Sequence, residues 1–297
     1  MFLILDYEKT TFGRHLLAAA RSMHLNTLYL TGKEIVHGLS IDYRLTDHDK
    51  RFTIRFGKQL IRSEDIYGVY CGLDYFTPML WPCFSVKDAD YAAQETYALW
   101  LALLTTLSCR MLNSPALDTL AGHMLSVPET LSMALKHGLN IPLSITLESG
   151  SAASTLLAAH GTLQFTNLGQ ISPQELVIQR TDAKSVTKIK NHCRVTEILA
   201  GNLVHIALVG ERYFISGRDE NKSPFPIDLR IPQKIKTGLY SMQNELDLNM
   251  AEYQFRITSN REWIFSGYSR VPTNAMVAFG DTLFNYIVNY AIGNAGS

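Results

Sequence analysis

The first thirty residues constrain the fold most. Phe2-Leu3-Ile4-Leu5 is a short, wholly apolar run, the pattern of a strand buried on both faces of a parallel sheet. Apolar side chains then recur on one helical face between residues 12 and 24, at Phe12, Leu16, Leu17, Ala20 and Met23. Thr27-Leu28-Tyr29-Leu30 reads as a second strand. Strand, helix and strand at this spacing predict a βαβ unit.

The rest of the chain changes character. Residues 51–61 alternate about Gly57-Lys58 and predict a hairpin, and Gly68-Val69-Tyr70-Cys71 predicts a further strand. A long helix is expected over 89–107 and a short strand at Met111-Leu112-Asn113, closed by Ser114-Pro115. Ser126 as N-cap, Pro128 and Glu129 in the first turn and Gly138 past the end predict a helix. A small helix is expected over 151–160, with strands over 163–167 and 175–179. Strands over 204–209 and 212–216 flank a turn at Gly210-Glu211, and a helix follows over 232–246. Strands over 252–258 and 262–266 are joined at Ser259-Asn260-Arg261, and the last helix, 284–292, is apolar enough to pack into the core. The order is α/β first, then a small mixed section, then antiparallel hairpins covered by helices.

Charge and composition exclude several classes. Lys plus Arg is 27 and Asp plus Glu is 27, so nothing draws the chain toward nucleic acid or anionic lipid. The start meets Asp6 after a brief apolar run and has no basic flank, so it is a strand rather than a signal peptide. The apolar stretch from Ala98 to Leu107 is half the ~20 residues of a membrane span. A cytoplasmic protein is expected, with Cys71, Cys83, Cys109 and Cys193 as reduced thiols in preference to a Cys71–Cys83 disulfide. The nine histidines form no metal-binding spacing, so no metal site is expected. The aromatic segment from Tyr67 to Phe84 is either folded-over core or a contact surface.

Four stretches, in order, resemble one family. They are "CRMLNSP" at 109–115, "SVPETLSMALKHGLNIPLS" at 126–144, "TEILAGNLVHIALVGERYFIS" at 196–216 and "LDLNMAEYQFRITSNREWIF" at 246–265. They are similar to segments of the ATP-grasp ligases, in the branch of ribosomal-protein glutamate ligases and macrocyclases of microviridin-type peptides. Leu131, Ala134, Gly138, Pro142, Glu197, Gly201 and Gly210 fall on matching positions. The resemblance implies an α/β fold of ATP-grasp type: an N-terminal parallel α/β domain over 1–115, then two α+β lobes, a central one over 116–190 and a C-terminal one over 191–297.

Such ligases activate a carboxylate as an acyl phosphate, with lysines and magnesium neutralising the phosphates. At the positions the resemblance assigns to the two lysines stand Val127 and Thr166. Gln254 stands at the metal aspartate, and Gly267 and Ser269 stand at the metal glutamate and asparagine. Surviving polar groups, Arg194, Glu197, His205, Asp228 and Arg230, are the expected ligand-binding residues. The expected reading is a catalytically degenerate ATP-grasp protein with no cofactor and no catalytic residue of the family type. It would bind a peptide or a partner protein, such as an active ligase, as a homo- or heterodimer and as an accessory subunit in peptide modification. The alternatives are a divergent ATP- and magnesium-dependent carboxylate–amine ligase with a rebuilt site, and a nucleotide-sensing module.

Overall fold

The computed structural model describes residues 1–46, 50–147, 162–167, 175–179, 193–197, 200–218 and 223–293. The expected helix over 151–160 lies outside them. β1 (Phe2–Asp6), α1 (Thr11–Ser22) and β2 (Thr27–Thr31) form the expected βαβ unit, with β1 and β2 parallel. Thr31 caps α2 (Gly32–Gly38): its hydroxyl accepts from the Glu34 N–H, and the Glu34 carboxylate accepts from the Thr31 N–H. β3 (Leu39–Leu45), β4 (Lys50–Phe56) and β5 (Gln59–Arg62) make an antiparallel sheet. β6 (Gly68–Cys71), α3 (Val86–Thr106) and β7 (Arg110–Met111) return to the first sheet, whose order is β2-β1-β6-β7.

α4 (Val127–Lys136) follows, then β8 (Ser144–Leu147), β9 (Thr162–Asn167), β10 (Glu175–Gln179) and β11 (Cys193–Glu197). These strands form an antiparallel sheet in the order β10-β9-β11-β8. β12 (Asn202–Val209) and β13 (Arg212–Arg218) flank Gly210, whose φ of 56° suits the turn. β14 (Pro224–Pro226), α5 (Gln233–Glu245), β15 (Met250–Ile257), β16 (Trp263–Ser269), α6 (Thr273–Phe279) and α7 (Asp281–Ala291) complete the chain. The third large sheet has the order β14-β13-β12-β15-β16.

The chain divides into two compact units: residues 1–125, 205–253 and 268–297 in one, 126–204 and 254–267 in the other. In the first unit the parallel sheet is buried on both faces, as its apolar strands require. Leu3, Leu5, Leu30 and Val69 pack with Phe52, Ile54, Trp100 and Leu103. Phe2, Ile4 and Tyr70 pack with Phe12 and Leu16 of α1 and Phe284 and Ile287 of α7. The last helix therefore closes the core of the first strands, and the ring of Phe12 lies 5.2 Å from those of both Tyr70 and Phe284. In the second unit Phe255 sets its ring edge-on to Trp263 and Phe265.

Cys71 is buried, Cys83 is exposed, and both are free thiols. The aromatic segment divides: Leu73 and Phe76 enter the core, while Met79 stays 84% exposed and Tyr75 and Phe84 face solvent. No helix among the described residues is long and apolar enough to cross a membrane.

Candidate functional site

Beyond the exposed Asn202 at its start, β12 is apolar on both faces except at one point. From Val204 to Val209 every residue is buried, and His205 is the polar exception at 3% exposure. β15, next to it in the sheet, carries Glu252 at 4% exposure inside the run Met250–Tyr253. A charged side chain is held in such a place only by specific partners. Glu252 finds them on α6: one carboxylate oxygen accepts from Asn274 Nδ2 at 2.7 Å and the Asn274 N–H at 3.3 Å, the other from the Ala275 N–H at 2.8 Å. The acid thus caps a helix that lacks a cap of its own. Arg218, at the end of β13, donates to Asn274 Oδ1 at 3.2 Å, so the amide of Asn274 bridges a cation and a carboxylate.

His205 Nδ1 lies 3.7 Å from Glu252 Oε1, beyond hydrogen-bond range. Burial first, and the Arg218 cation second, push the imidazole pKa down to about 4, so the ring is neutral at pH 7. Burial pushes the Glu252 carboxyl up, opposed by the donors of Asn274 and Ala275 and by Arg218. His205 Nε2 and Ser216 Oγ are buried without a hydrogen-bond partner among the described residues. A buried polar group left without a partner costs about 1–3 kcal/mol.

The depressed histidine has a pH signature. Between its ordinary value of 6.5 and about 4, the unfolded chain takes up a proton that the native state refuses. Its contribution to stability is whole above pH 6.5 and is lost as pH falls through that window. The raised Glu252 acts with the opposite sign, since the native state then binds its proton more readily. Urea titrations at pH 7 and pH 4.5 should show a loss on acidification that is smaller by about 2–3 kcal/mol in His205→Leu. An unchanged loss would mean that this ring does not resist protonation.

Of the expected ligand residues in the first unit, only His205 joins this cluster. Asp228 and Arg230 lie exposed in the extended segment after β14. Ser269 closes a local turn, donating to the Val271 carbonyl at 2.9 Å and accepting from the Val271 N–H at 3.2 Å. In the second unit Val127 opens α4 and is 42% exposed, while Ser126 binds Glu129 Oε2 through its N–H and its hydroxyl. Gln254 is half-buried on β15. A Cβ built on Gly267 would meet nothing within 4 Å, so no packing demand explains the glycine. Arg194 sits on β11 with its Nε buried and without a hydrogen-bond partner among the described residues, in register with Thr146 on one side and Thr166 on the other. Glu197 ends the same strand, its N–H donating to the Leu143 carbonyl. Among the described residues no three His, Cys, Asp or Glu side chains converge as a metal site.

Glu252, Asn274, Arg218 and Ser216 are absent from the residues expected on sequence. An acid within the apolar run MAEY was the available signal for Glu252. The other three become visible only once the strands and α6 are assembled.

The parallel sheet at the start, the antiparallel sheet of residues 144–197 and the five-stranded sheet covered by helices together define the ATP-grasp fold. No protein-family model matches the chain, and no curated protein matches it either. Solved structures do. The macrocyclase MdnC from Microcystis aeruginosa MRC, bound with its precursor peptide MdnA, superposes with a TM-score of 0.74 at 17% identity, covering 98% of this chain and 99% of that one. A RiPP-associated ATP-grasp ligase from Chryseobacterium gregarium, in complex with ADP and a leader and core peptide, gives 0.75 at 13% identity over 99% and 97%. The ATP-grasp ligase PsnB, complexed with a phosphomimetic variant of a minimal precursor, Mg and ADP, gives 0.73 at 11% identity over 99% and 98%. At these identities the likeness is one of fold.

Proposed function

We propose that this protein is a non-ligating member of the ATP-grasp fold that binds a peptide or a partner protein as an accessory to peptide modification, in the cytosol and as a homo- or heterodimer. The observation that carries the reading is Gly267. It stands where the resemblance puts a metal carboxylate, and a side chain there would have open space. Neighbouring requirements fail alongside it. Val127 offers no cation, Ser269 spends its hydroxyl on its own turn, and the buried carboxylate of Glu252 is occupied by α6. Mg–ATP is held by several charge-assisted contacts, each worth about 1.5–3 kcal/mol. The residues present do not fit that group. Support for a peptide as ligand comes from the fold's solved representatives, which hold precursor peptides.

A second reading, the divergent ligase, is favoured by one observation. Arg194 lies directly opposite Thr166 in the antiparallel pair of β11 and β9, and its Nε has no hydrogen-bond partner among the described residues. The strand register therefore pairs a cation with the position at which the resemblance puts a lysine. Phosphate release by the pure protein with Mg–ATP decides between them. The accessory reading expects none above a buffer blank. Steady release that disappears in Arg194→Met would establish the divergent ligase instead.

A further inference from the structure

The parallel sheet has a second feature. In the order β2-β1-β6-β7 the chain leaves β1 toward β2 on one side and has β6 on the other. Open α/β sheets bind ligands in the crevice beyond the carboxyl ends of their strands at such a reversal. A cavity of about 380 Å³ lies there, lined by Asp6 at the end of β1, Tyr70 and Gly72 at the end of β6, the start of α1, and Arg270. It is at the small end of ligand pockets, which run from about 300 to 1,000 Å³.

Its charge is one-sided. Arg270 commits its guanidinium to Asp74 at 2.6 Å, to Thr119 Oγ1 at 2.8 Å and to the Gly122 carbonyl at 2.9 Å. Asp74 and Arg270 cancel, and Asp6 is the remaining acid, its carboxyl pushed up by burial and held down by the hydrogen bonds it accepts from Thr10, Tyr29 and Tyr7. Asp6 accepts from the Tyr7 N–H, the Thr10 hydroxyl and the Tyr29 hydroxyl. A carboxylate offers about four lone-pair sites, so acceptor capacity remains. Tyr70 is 4% exposed, and its hydroxyl borders the same space as Asp6 Oδ1. A Cβ built on Gly72 would fall 2.8 Å from both Asp6 Oδ1 and the Tyr70 hydroxyl. The missing side chain therefore leaves open the space shared by these two oxygens. Phe12, Val271 and Met276 supply apolar wall beside it. An anion would be repelled by Asp6, and a wholly apolar group would strand both oxygens.

We propose that this crevice binds a primary ammonium group, carried by a lysine side chain or by the amino end of a peptide. The N–H donors would meet Asp6 Oδ1 and the Tyr70 oxygen, and the carbon stem would lie along the apolar wall. The source of the ammonium rests on the peptide-binding reading above, and the site itself does not.

The test is a titration of the intact, ¹⁵N-labelled protein with three N-methylamide-capped probes, followed at the Gly72 amide. They are N-acetyl-lysine N-methylamide, alanine N-methylamide and, as an uncharged control, N-acetyl-norleucine N-methylamide. Saturable shifts with the first identify a lysine side chain, with the second a peptide amino end, with both any accessible ammonium. Gly72→Ala and Tyr70→Phe should each weaken binding at least tenfold, and Tyr70→Phe carries the test should the glycine variant fail to fold. The inference is overturned if no ammonium probe shifts Gly72, if norleucine binds as well as lysine, or if the folded variants bind like the wild type. Binding of ammonium together with Mg–ATP would sink the proposed function alone. Absence of both would sink this site alone.

Discussion

Glu252→Ala is expected to destabilise the first unit by about 3–5 kcal/mol, the largest effect of any single polar substitution in it. Three donors lose their acceptor at once: the Asn274 and Ala275 N–H groups at the start of α6 and the Asn274 amide. The helix has no other cap, and the Ala275 N–H is buried, so water does not replace the carboxylate freely. Arg218 also loses the anion to which Asn274 connects it. Glu252→Gln keeps one carbonyl oxygen in place and should recover about half of the loss. Urea unfolding monitored by fluorescence reads this, since Trp100 is fully buried in the same unit. A loss below about 1 kcal/mol would show that α6 does not depend on this acid.

Arg270→Ala should cost about 2–4 kcal/mol. The guanidinium joins segments far apart in sequence, Asp74 after β6 and the turn from Thr119 to Gly122. Asp74 is partly exposed, and water recovers some of its hydration, which keeps the figure below that of a fully enclosed pair. The Gly122 carbonyl retains the Thr119 hydroxyl at 2.6 Å. Arg270→Lys should recover less than half, because one ammonium does not span the fork from Asp74 to Thr119. Equal stability of the lysine variant and the wild type would reduce the role of Arg270 to charge alone.

What was legible in the sequence followed from local rules. The βαβ start, the hairpin about Gly57-Lys58, the cap at Ser126 and the burial of the last helix came from periodicity and turn chemistry, and the structure has them. α2 and β3 were overlooked, although Thr31 and Glu34 carry a capping-box spacing that was there to read. α6 had no local signal, because its cap arrives from β15, more than twenty residues away. The same reason hid most of the polar cluster. His205 was expected only as a surviving polar group of the family resemblance, and Ser216 and Arg218 lie at strand positions with no local signal of a partner. Asp6, Tyr70 and Gly72 are brought together by sheet order, and strand order is a tertiary fact.

The central claim concerns charge. On the proposed reading, in which Val127, Gln254, Gly267 and Ser269 stand where the resemblance puts a cation and metal ligands, the chain should have no grip on a magnesium-bound triphosphate. Isothermal titration of Mg–ATP into the intact protein tests it most directly. The account predicts no saturable heat up to about 1 mM nucleotide, a binding free energy weaker than about 4 kcal/mol. Saturation at about 10 μM or below, abolished by EDTA, would contradict it.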